Sequence, residues 1–86
     1  MIMAEDNTIP IKAPISGVFY RTPAPDQPPF VEEGSVVKKG QTLCLLETMK
    51  VFTKLKSPMD GVVVEILGKH EVVIEKNQIL FHIKPQ

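Results

Sequence analysis

Cysteine, net charge and long apolar runs are scarce in this chain, and each scarcity excludes a class of protein. The single cysteine, Cys44, cannot close an internal disulfide, which favours a reducing compartment. Ten basic and ten acidic residues cancel, so no basic field is available for nucleic acid or an anionic membrane. No apolar stretch is long enough for a membrane helix or a signal peptide. We therefore expect a soluble, cytoplasmic protein that binds neither nucleic acid nor membrane.

The sequence motifs of familiar enzyme sites are also missing. His70 and His82 lie too far apart in the chain to form a local motif, and no Cys/His pair has zinc-site spacing. No glycine-rich phosphate loop and no nucleophile elbow occurs. Cys44 lies inside an apolar run, where a small buried hydrophobe is the expected role. We therefore predict no catalytic residue and no metal site.

What the chain does contain is an internal repeat. Two blocks of the first half recur in the second, 44 and 37 residues downstream: residues 11–20 as 55–64, and residues 36–47 as 73–84. The first repeat therefore carries seven extra residues between Tyr20 and Val36. Short apolar runs, separated by proline and glycine at equivalent places, predict many short strands and an all-β fold.

The chain has room for one domain only, since it contains 86 residues. Residues 1–9 are polar and unpatterned, and we interpret them as a flexible leader or a linker remnant. Residues 10–86 then form the domain.

The junction between the repeats, residues 42–56, allows two interpretations. Its apolar residues fall at helical spacing, so a helix is possible in isolation. The repeat instead predicts strands on both flanks, with a chain reversal within residues 48–51. Met49-Lys50 is an unusual choice for such a reversal, because two-residue hairpins prefer Asn-Gly or Asp-Gly. A conflict between local preference and topology is often functional, so Lys50 is the candidate functional residue, with a core role as the alternative for Met49.

The seven extra residues belong to a stretch with four prolines in ten residues, 21–30. Proline cannot donate to a β ladder, so this stretch is predicted to be a stiff loop. Two interpretations remain open for it. It is either a tolerated surface insertion or a rigid protrusion that contacts a ligand or partner.

Three segments resemble the biotinyl/lipoyl attachment-domain superfamily, and within it the biotin carboxyl carrier subunits of bacterial-type acetyl-CoA carboxylase. They are the Gly17–Pro23 stretch followed by Pro25-Asp26, the Glu47-Thr48-Met49-Lys50 segment, and Ser57-Pro58-Met59-Asp60-Gly61. The similarity covers residues 11–84. It implies a flattened β-barrel or sandwich of two antiparallel four-stranded sheets, related by a quasi-twofold axis.

The resemblance also implies a function. Biotin would be attached covalently to Lys50, with Thr48, Met49 and Val51 as the neighbouring cofactor-site residues. The proline-rich loop would correspond to the family's "thumb", represented by Thr22, Pro23, Ala24, Pro25 and Asp26. The implied partners are a biotin protein ligase, a biotin carboxylase and a carboxyltransferase. The chain would be a non-catalytic carrier for an acetyl-CoA carboxylase in fatty acid biosynthesis.

The attachment segment departs from the biotin pattern, which usually reads Ala-Met-Lys-Met. Here Met49 is biotin-like, whereas Thr48 and Val51 are common in lipoyl domains. The proline-rich loop favours biotin, because lipoyl domains lack it. Two alternatives stay open: a lipoyl carrier of a 2-oxoacid dehydrogenase, and an unmodified interaction module.

Overall fold

A computed structural model describes residues 7–86, and these residues form eight β-strands without an α-helix. The strands are β1 (Ile9–Lys12), β2 (Gly17–Tyr20), β3 (Val36–Val37), β4 (Thr42–Thr48), β5 (Val51–Lys56), β6 (Gly61–Ile66), β7 (Val72–Ile74) and β8 (Ile79–Pro85). The junction between the repeats is therefore two strands, as the repeat predicted. Within this described part, no helix is long and apolar enough to cross a membrane.

The strands form two antiparallel four-stranded sheets, in the orders β1-β8-β6-β3 and β5-β4-β2-β7. Replacing each strand of one sheet by its repeat equivalent produces the other sheet. The outer strand pairs also carry register shifts at corresponding places, next to Lys12 in β1 and between Thr42 and Cys44 in β4. The predicted quasi-twofold fold is thus confirmed. The two sheets face each other as a flattened sandwich rather than a closed barrel.

The turns obey the same symmetry. Gly40 N donates to Ser57 O, and the equivalent Asn77 N donates to Ala13 O, both at 2.8 Å. Gly40 and Asn77 have φ values of 88° and 74°. Both residue types tolerate this left-handed region, so conventional turn chemistry holds these two corners together.

Gly17 and Gly61 are required for close backbone approach rather than for positive φ. A Cβ on Gly17 would lie 2.5 Å from Glu47 O, and a Cβ on Gly61 would lie 2.5 Å from Lys84 O. Glu47 and Lys84 are themselves repeat equivalents. Gly17 therefore allows β2 to lie close to the backbone of β4, and Gly61 allows β6 to lie close to the backbone of β8.

The core lies between the sheets and is centred on Phe19 and Phe81, whose ring centroids are 5.9 Å apart. Phe81 is the repeat equivalent of Cys44, and Phe19 is the equivalent of Val63. Each repeat thus supplies one large and one small side chain, which fills the interior evenly. The buried apolar residues are Ile11, Ala13, Phe19, Val31, Val37, Leu43, Cys44, Leu46, Val63, Ile74, Leu80, Phe81 and Ile83.

The domain begins slightly earlier than the predicted boundary at residue 10. Ile9 is the first residue of β1 and pairs with Ile83 of β8. Thr8 Oγ1 also lies 3.3 Å from His82 Nδ1. Ile9 therefore belongs to a strand. The flexible leader stays a prediction for the residues before it, of which residues 1–6 lie outside the described part of the chain.

Candidate attachment site

Met49 and Lys50 form the two-residue tip of the β4–β5 hairpin. The last pair of the ladder is Thr48 with Val51, so the chain reverses within residues 48–51 as predicted. Met49 has φ 53° and Lys50 has φ 67°. Positive φ at both central residues matches the twist of a tight hairpin but normally selects Asn-Gly. A non-glycine residue in this region costs on the order of 1–2 kcal/mol, so the tip is locally strained.

Both tip residues point into solvent. The Met49 side chain is 90% exposed, and Lys50 is exposed as well. A core role for Met49, the alternative weighed from the sequence, is therefore wrong. The neighbouring Val51 is 63% exposed, so an exposed apolar side chain lies on each side of Lys50 in the sequence.

Thr48 anchors the base of this tip to the rest of the sandwich. Its Oγ1 donates a hydrogen bond to Ser16 O at 2.5 Å. Ser16 precedes Gly17, whose missing Cβ leaves room for Thr48 Oγ1. The Thr48 side chain therefore joins the hairpin to the β1–β2 turn, which limits movement of the tip.

The outer face of the hairpin carries Glu47, which is bound to a tyrosine. Tyr20 Oη donates to Glu47 Oε1 at 2.9 Å. This hydrogen bond, followed by burial and by the negative charges of Glu47 and Glu71, raises the pKa of Tyr20 above its usual value. The Tyr20 ring also packs against Phe52, with centroids 5.7 Å apart. The Glu47 carboxylate is thus turned toward Tyr20 on the sheet.

The thumb, residues 21–30, is closed by its own backbone and not by a ladder. Phe30 N donates to Arg21 O at 2.9 Å, and Gln27 N donates to Ala24 O at 3.1 Å. The Arg21 guanidinium donates through Nη2 to Val31 O at 3.3 Å. Arg21 therefore pins the base of the thumb. Asp26 is exposed.

The thumb and the hairpin enclose a small cavity of about 170 Å³, here called the thumb pocket. Its lining residues are Tyr20, Thr22, Pro23, Ala24, Pro25, Leu45, Phe52, His70 and Glu71. Phe52 is two residues from Lys50 and lines the same pocket as the thumb residues, so the thumb faces the hairpin that bears the tip. Four of the five thumb residues singled out from the sequence line the pocket, and Asp26 does not.

Several pocket residues were not singled out from the sequence. Tyr20 and Leu45 are cross-strand partners in β2 and β4, which the repeat alignment could have indicated. His70 and Glu71 come from the β6–β7 loop, and no local pattern placed them near the thumb. The pocket is smaller than a typical small-molecule site of roughly 300–1,000 Å³. It could therefore hold only part of a cofactor tethered nearby.

The remaining candidates have structural roles or none. Cys44 is fully buried, and this burial raises its pKa to about 12, so the thiol is a packing group rather than a nucleophile. His82 is half-buried on β8, where it is the repeat equivalent of Leu45. Across the described residues, no group of three or more His, Cys, Asp or Glu side chains could hold a metal ion.

The geometry is that of a display domain, and comparison with known proteins agrees. The profile of the Biotin_lipoyl family, described as "Biotin-requiring enzyme", matches residues 9–83. The chain therefore belongs to the Biotin_lipoyl family.

Among curated proteins, the chain resembles biotin carboxyl carrier proteins of acetyl-CoA carboxylase. It is 50% identical over 74 residues to that of Streptococcus pyogenes serotype M6, which covers 86% of this chain and 45% of the relative. It is 44% identical over 77 residues to that of Cyanidium caldarium, which covers 90% of this chain and 51% of the relative. The chloroplastic protein of Glycine max is 39% identical over 82 residues, which covers 95% of this chain and 31% of the relative.

The chain spans about half, or less, of the length of these relatives. The expected resemblance is confirmed by the family match and the names of the relatives: the chain belongs to the biotinyl/lipoyl family and is similar to biotin carboxyl carrier proteins.

Solved structures confirm the fold. A single-chain, multi-domain long-chain acyl-CoA carboxylase matches with TM-score 0.80 at 20% identity, covering 93% of this chain and 7% of that one. The urea carboxylase of Kluyveromyces lactis matches with TM-score 0.74 at 22% identity, covering 91% and 6%. A succinylglutamate desuccinylase/aspartoacylase of Shewanella frigidimarina matches with TM-score 0.72 at 14% identity, covering 94% and 21%. Because the third protein is not named a carboxylase, the fold alone does not decide the function.

Proposed function

We propose that Lys50 is the site of covalent biotin attachment, and that the domain carries a carboxyl group between two active sites of a biotin-dependent carboxylase. The observation that carries this proposal is the hairpin tip. Its two residues adopt left-handed conformations that Asn-Gly would occupy at lower cost, and both are exposed. A tip of this kind presents one amine in a defined place, away from the other lysines of the domain.

Attachment requires the Lys50 amine to form an amide bond with an activated carboxyl carbon. In the proposed reaction, the leaving group is the AMP of an acyl adenylate, and the attacking nitrogen loses its proton to a base. Lysine amines are overwhelmingly protonated at neutral pH. The nearest acidic side chain on β4, Glu47, already accepts a hydrogen bond from Tyr20. The base and the adenylate therefore come from a biotin protein ligase, and this domain supplies position.

The residues around Lys50 fit a tethered cofactor. The tip is rigid at its base through Thr48, and a pocket with apolar walls lies beside it under the thumb. Biotin, when bound, supplies the ureido nitrogen that accepts and releases the carboxyl group. The domain keeps that group at high effective concentration near each partner active site.

The proposed partners are a biotin carboxylase and a carboxyltransferase, and the proposed pathway is fatty acid biosynthesis through an acetyl-CoA carboxylase. The support is the set of relatives named as carriers of that enzyme, at up to 50% identity among those compared above. We also propose a cytoplasmic location. The unpaired, buried Cys44 is consistent with a reducing compartment.

The thumb is proposed to act on the cofactor or on a partner enzyme rather than on folding. Its loop is closed locally, and its residues 22–25 face the hairpin across the thumb pocket. Deleting residues 23–29 should leave the thermal midpoint nearly unchanged and slow carboxyl transfer to and from the biotinylated domain. A deletion that lowers the midpoint and leaves transfer rates unchanged would identify the loop as a structural insertion.

Coexpression with a ligase, followed by intact-mass measurement, tests the attachment. We expect one biotinyl group per chain with a biotin protein ligase and no lipoyl group with a lipoate ligase. A lipoyl group alone would establish the alternative suggested by Thr48 and Val51. An unchanged mass with both ligases would leave a carrier-like interaction module. Met49→Asp introduces the residue that lipoyl domains usually have before the modified lysine, and it should shift modification toward lipoylation.

A further inference from the structure

The thumb is held at its base by a histidine from the second repeat. Arg21, the first thumb residue, donates its backbone N–H to His70 Nδ1 at 3.0 Å. The imidazole also packs edge-on against Tyr20, with centroids 5.8 Å apart, and it lines the thumb pocket. The His70 side chain in the β6–β7 loop therefore contacts the thumb backbone at Arg21 and the Tyr20 ring, and it also forms part of the wall of the thumb pocket.

The first repeat has a matching contact with a different acceptor. Glu33 is equivalent to His70, 37 residues earlier, and its Oε2 accepts the backbone N–H of Ile66 at 3.2 Å. In each repeat, a side chain in the loop between the second and third strands thus accepts a backbone N–H just at or beyond the end of a central strand of the opposite repeat. The quasi-twofold axis makes Glu33 and His70 a natural pair for comparison.

Backbone hydrogen bonds of the next residue along the chain show that Glu33 and His70 occupy equivalent places in their loops. Gly34 N donates to Val63 O at 2.7 Å, and Glu71 N donates to Phe19 O at 2.6 Å. Gly34 has φ 95° and Glu71 has φ 63°. The second repeat therefore keeps a charged residue in a left-handed position that the first repeat fills with glycine, and this residue directly follows His70.

The two acceptors differ in how they respond to protons. A carboxylate accepts hydrogen bonds throughout the neutral range, whereas an imidazole nitrogen accepts only when it is unprotonated. In the observed arrangement Nδ1 is the acceptor, so the ring proton of the neutral form lies on Nε2. Protonation places an N–H on Nδ1, opposite the N–H of Arg21, and the contact becomes a repulsion between two donors. Histidine is the side chain that titrates between about pH 5 and 8.

We propose that His70 is a positioning residue for the thumb: its neutral ring holds the thumb base over the attachment hairpin, and protonation releases it. The proposal rests on the proposed function only for its consequence in carboxyl transfer. The groups that face the ring are few. Glu71 Oε2 lies 3.8 Å from Nε2, Tyr20 packs on the ring and is bound to Glu47, and the Arg21 guanidinium is turned to Val31 O. Glu71 can pair with the protonated ring through Nε2.

The hydrogen bond from Arg21 N–H to His70 Nδ1 is called the amide latch below. Amide hydrogen exchange on the unmodified domain tests this latch without any need for biotin. After correction for the intrinsic pH dependence of exchange, the Arg21 amide should lose protection on the order of fivefold as the pH falls and the ring gains a proton, the factor for one net hydrogen bond. The Ile66 amide, bound to Glu33, should keep its protection over the same range. Parallel behaviour of the two amides would overturn the proposal.

Variants at the two equivalent positions sharpen the test. His70→Gln replaces the imidazole with an acceptor that does not titrate, so Arg21 protection should become independent of pH. His70→Leu should leave the Arg21 amide exposed at every pH, and Glu33→Gln should leave the Arg21 titration unchanged. A wild-type pH response in His70→Gln would contradict the proposal.

The functional readout is the pH profile of carboxyl transfer by the biotinylated domain. His70→Gln should flatten the acid side of the wild-type profile. An unchanged profile together with a confirmed amide latch would show that the latch exists but does not serve transfer, and would refute the functional part of the proposal. Failure of Lys50 to carry biotin is detected separately, by mass.

Discussion

The framework turns and the attachment tip fill their left-handed backbone positions with different kinds of residue. At the framework turns, Gly40 and Asn77 occupy equivalent positions, and both residue types accept positive φ readily. At the tip, Met49 and Lys50 occupy such positions without a preferred residue, and Glu71 does so beside the thumb. The unconventional choices therefore cluster around the hairpin and the thumb pocket, while conventional turns hold the framework.

This contrast separates what the fold requires from what the function requires. A turn that only joins strands is free to use the residue with the lowest conformational cost. A turn that must display a lysine is not, and it retains local strain that the surrounding strands support. The hairpin ladder and the Thr48 contact with Ser16 provide that support here.

The largest expected effect comes from the paired glycines. Gly17→Ala and Gly61→Ala should each lower the free energy of unfolding by about 1–3 kcal/mol, since each added Cβ would lie 2.5 Å from a carbonyl oxygen. Only Gly17 faces Glu47 and Thr48 next to the tip, so only Gly17→Ala should also slow biotinylation. Urea denaturation and a ligase assay measure the two effects. Equal slowing by both variants would mean that stability, not tip geometry, limits modification.

At alkaline pH, the free energy of unfolding should depend on ionisation of Cys44, whereas its repeat equivalent in the core, Phe81, has no ionisable group. Burial raises the pKa of Cys44 from 9.0 to about 12. The folded state therefore retains a proton that the unfolded state loses, and this contribution is complete below pH 9 and lost as pH rises toward about 12. We expect an extra fall in stability of about 1.4 kcal/mol per pH unit above pH 9.

The control for this slope is Cys44→Val, which removes the thiol and keeps a small apolar side chain. Denaturation curves between pH 9 and 11 should show a shallower decline for this variant, because lysine and tyrosine titration remain common to both proteins. Identical declines would place the Cys44 thiol in an environment more polar than the structure indicates.

Replacing the tip with conventional turn residues should stabilise the domain. Met49→Asn combined with Lys50→Gly removes two residues from strained conformations, and we expect a gain of about 1–2 kcal/mol, measured by thermal or urea unfolding. The variant should carry no biotin, because the amine is gone. Lys50→Gly alone and Met49→Asn alone show how the gain divides between the two positions. A loss of stability in the double variant would contradict the assignment of strain to the tip.

The smallest expected effects concern the residues beside the lysine. Thr48→Ala should lower stability by about 1 kcal/mol through the lost hydrogen bond to Ser16, and Thr48→Ser should retain it. With a biotin ligase from another organism, Thr48→Ala combined with Val51→Met should raise kcat/KM. Equal kcat/KM values for wild type and double variant would show that the hybrid appearance of the segment has no effect on recognition.

Much of this architecture could be predicted from the sequence because the chain contains an internal repeat. The repeat placed the strands, overruled the helical spacing of residues 42–56, and located the reversal at Met49-Lys50. Single-residue demands were less accessible. Positive φ at Glu71 and the engagement of Tyr20 with Glu47 depend on contacts between segments far apart in the chain. The His70–Arg21 contact joins residues 49 apart, and no periodicity in the sequence encodes it.

The central claim is that Lys50 alone is displayed for modification, and peptide mapping of the biotinylated domain tests it most directly. After coexpression with a biotin protein ligase, biotin should be found on Lys50 and on no other lysine. Lys50→Arg should keep the fold and abolish labelling, while Lys54→Arg and Lys56→Arg, on the same hairpin, should be labelled fully. Biotin on Lys54 or Lys56, or labelling that survives in Lys50→Arg, would contradict the account.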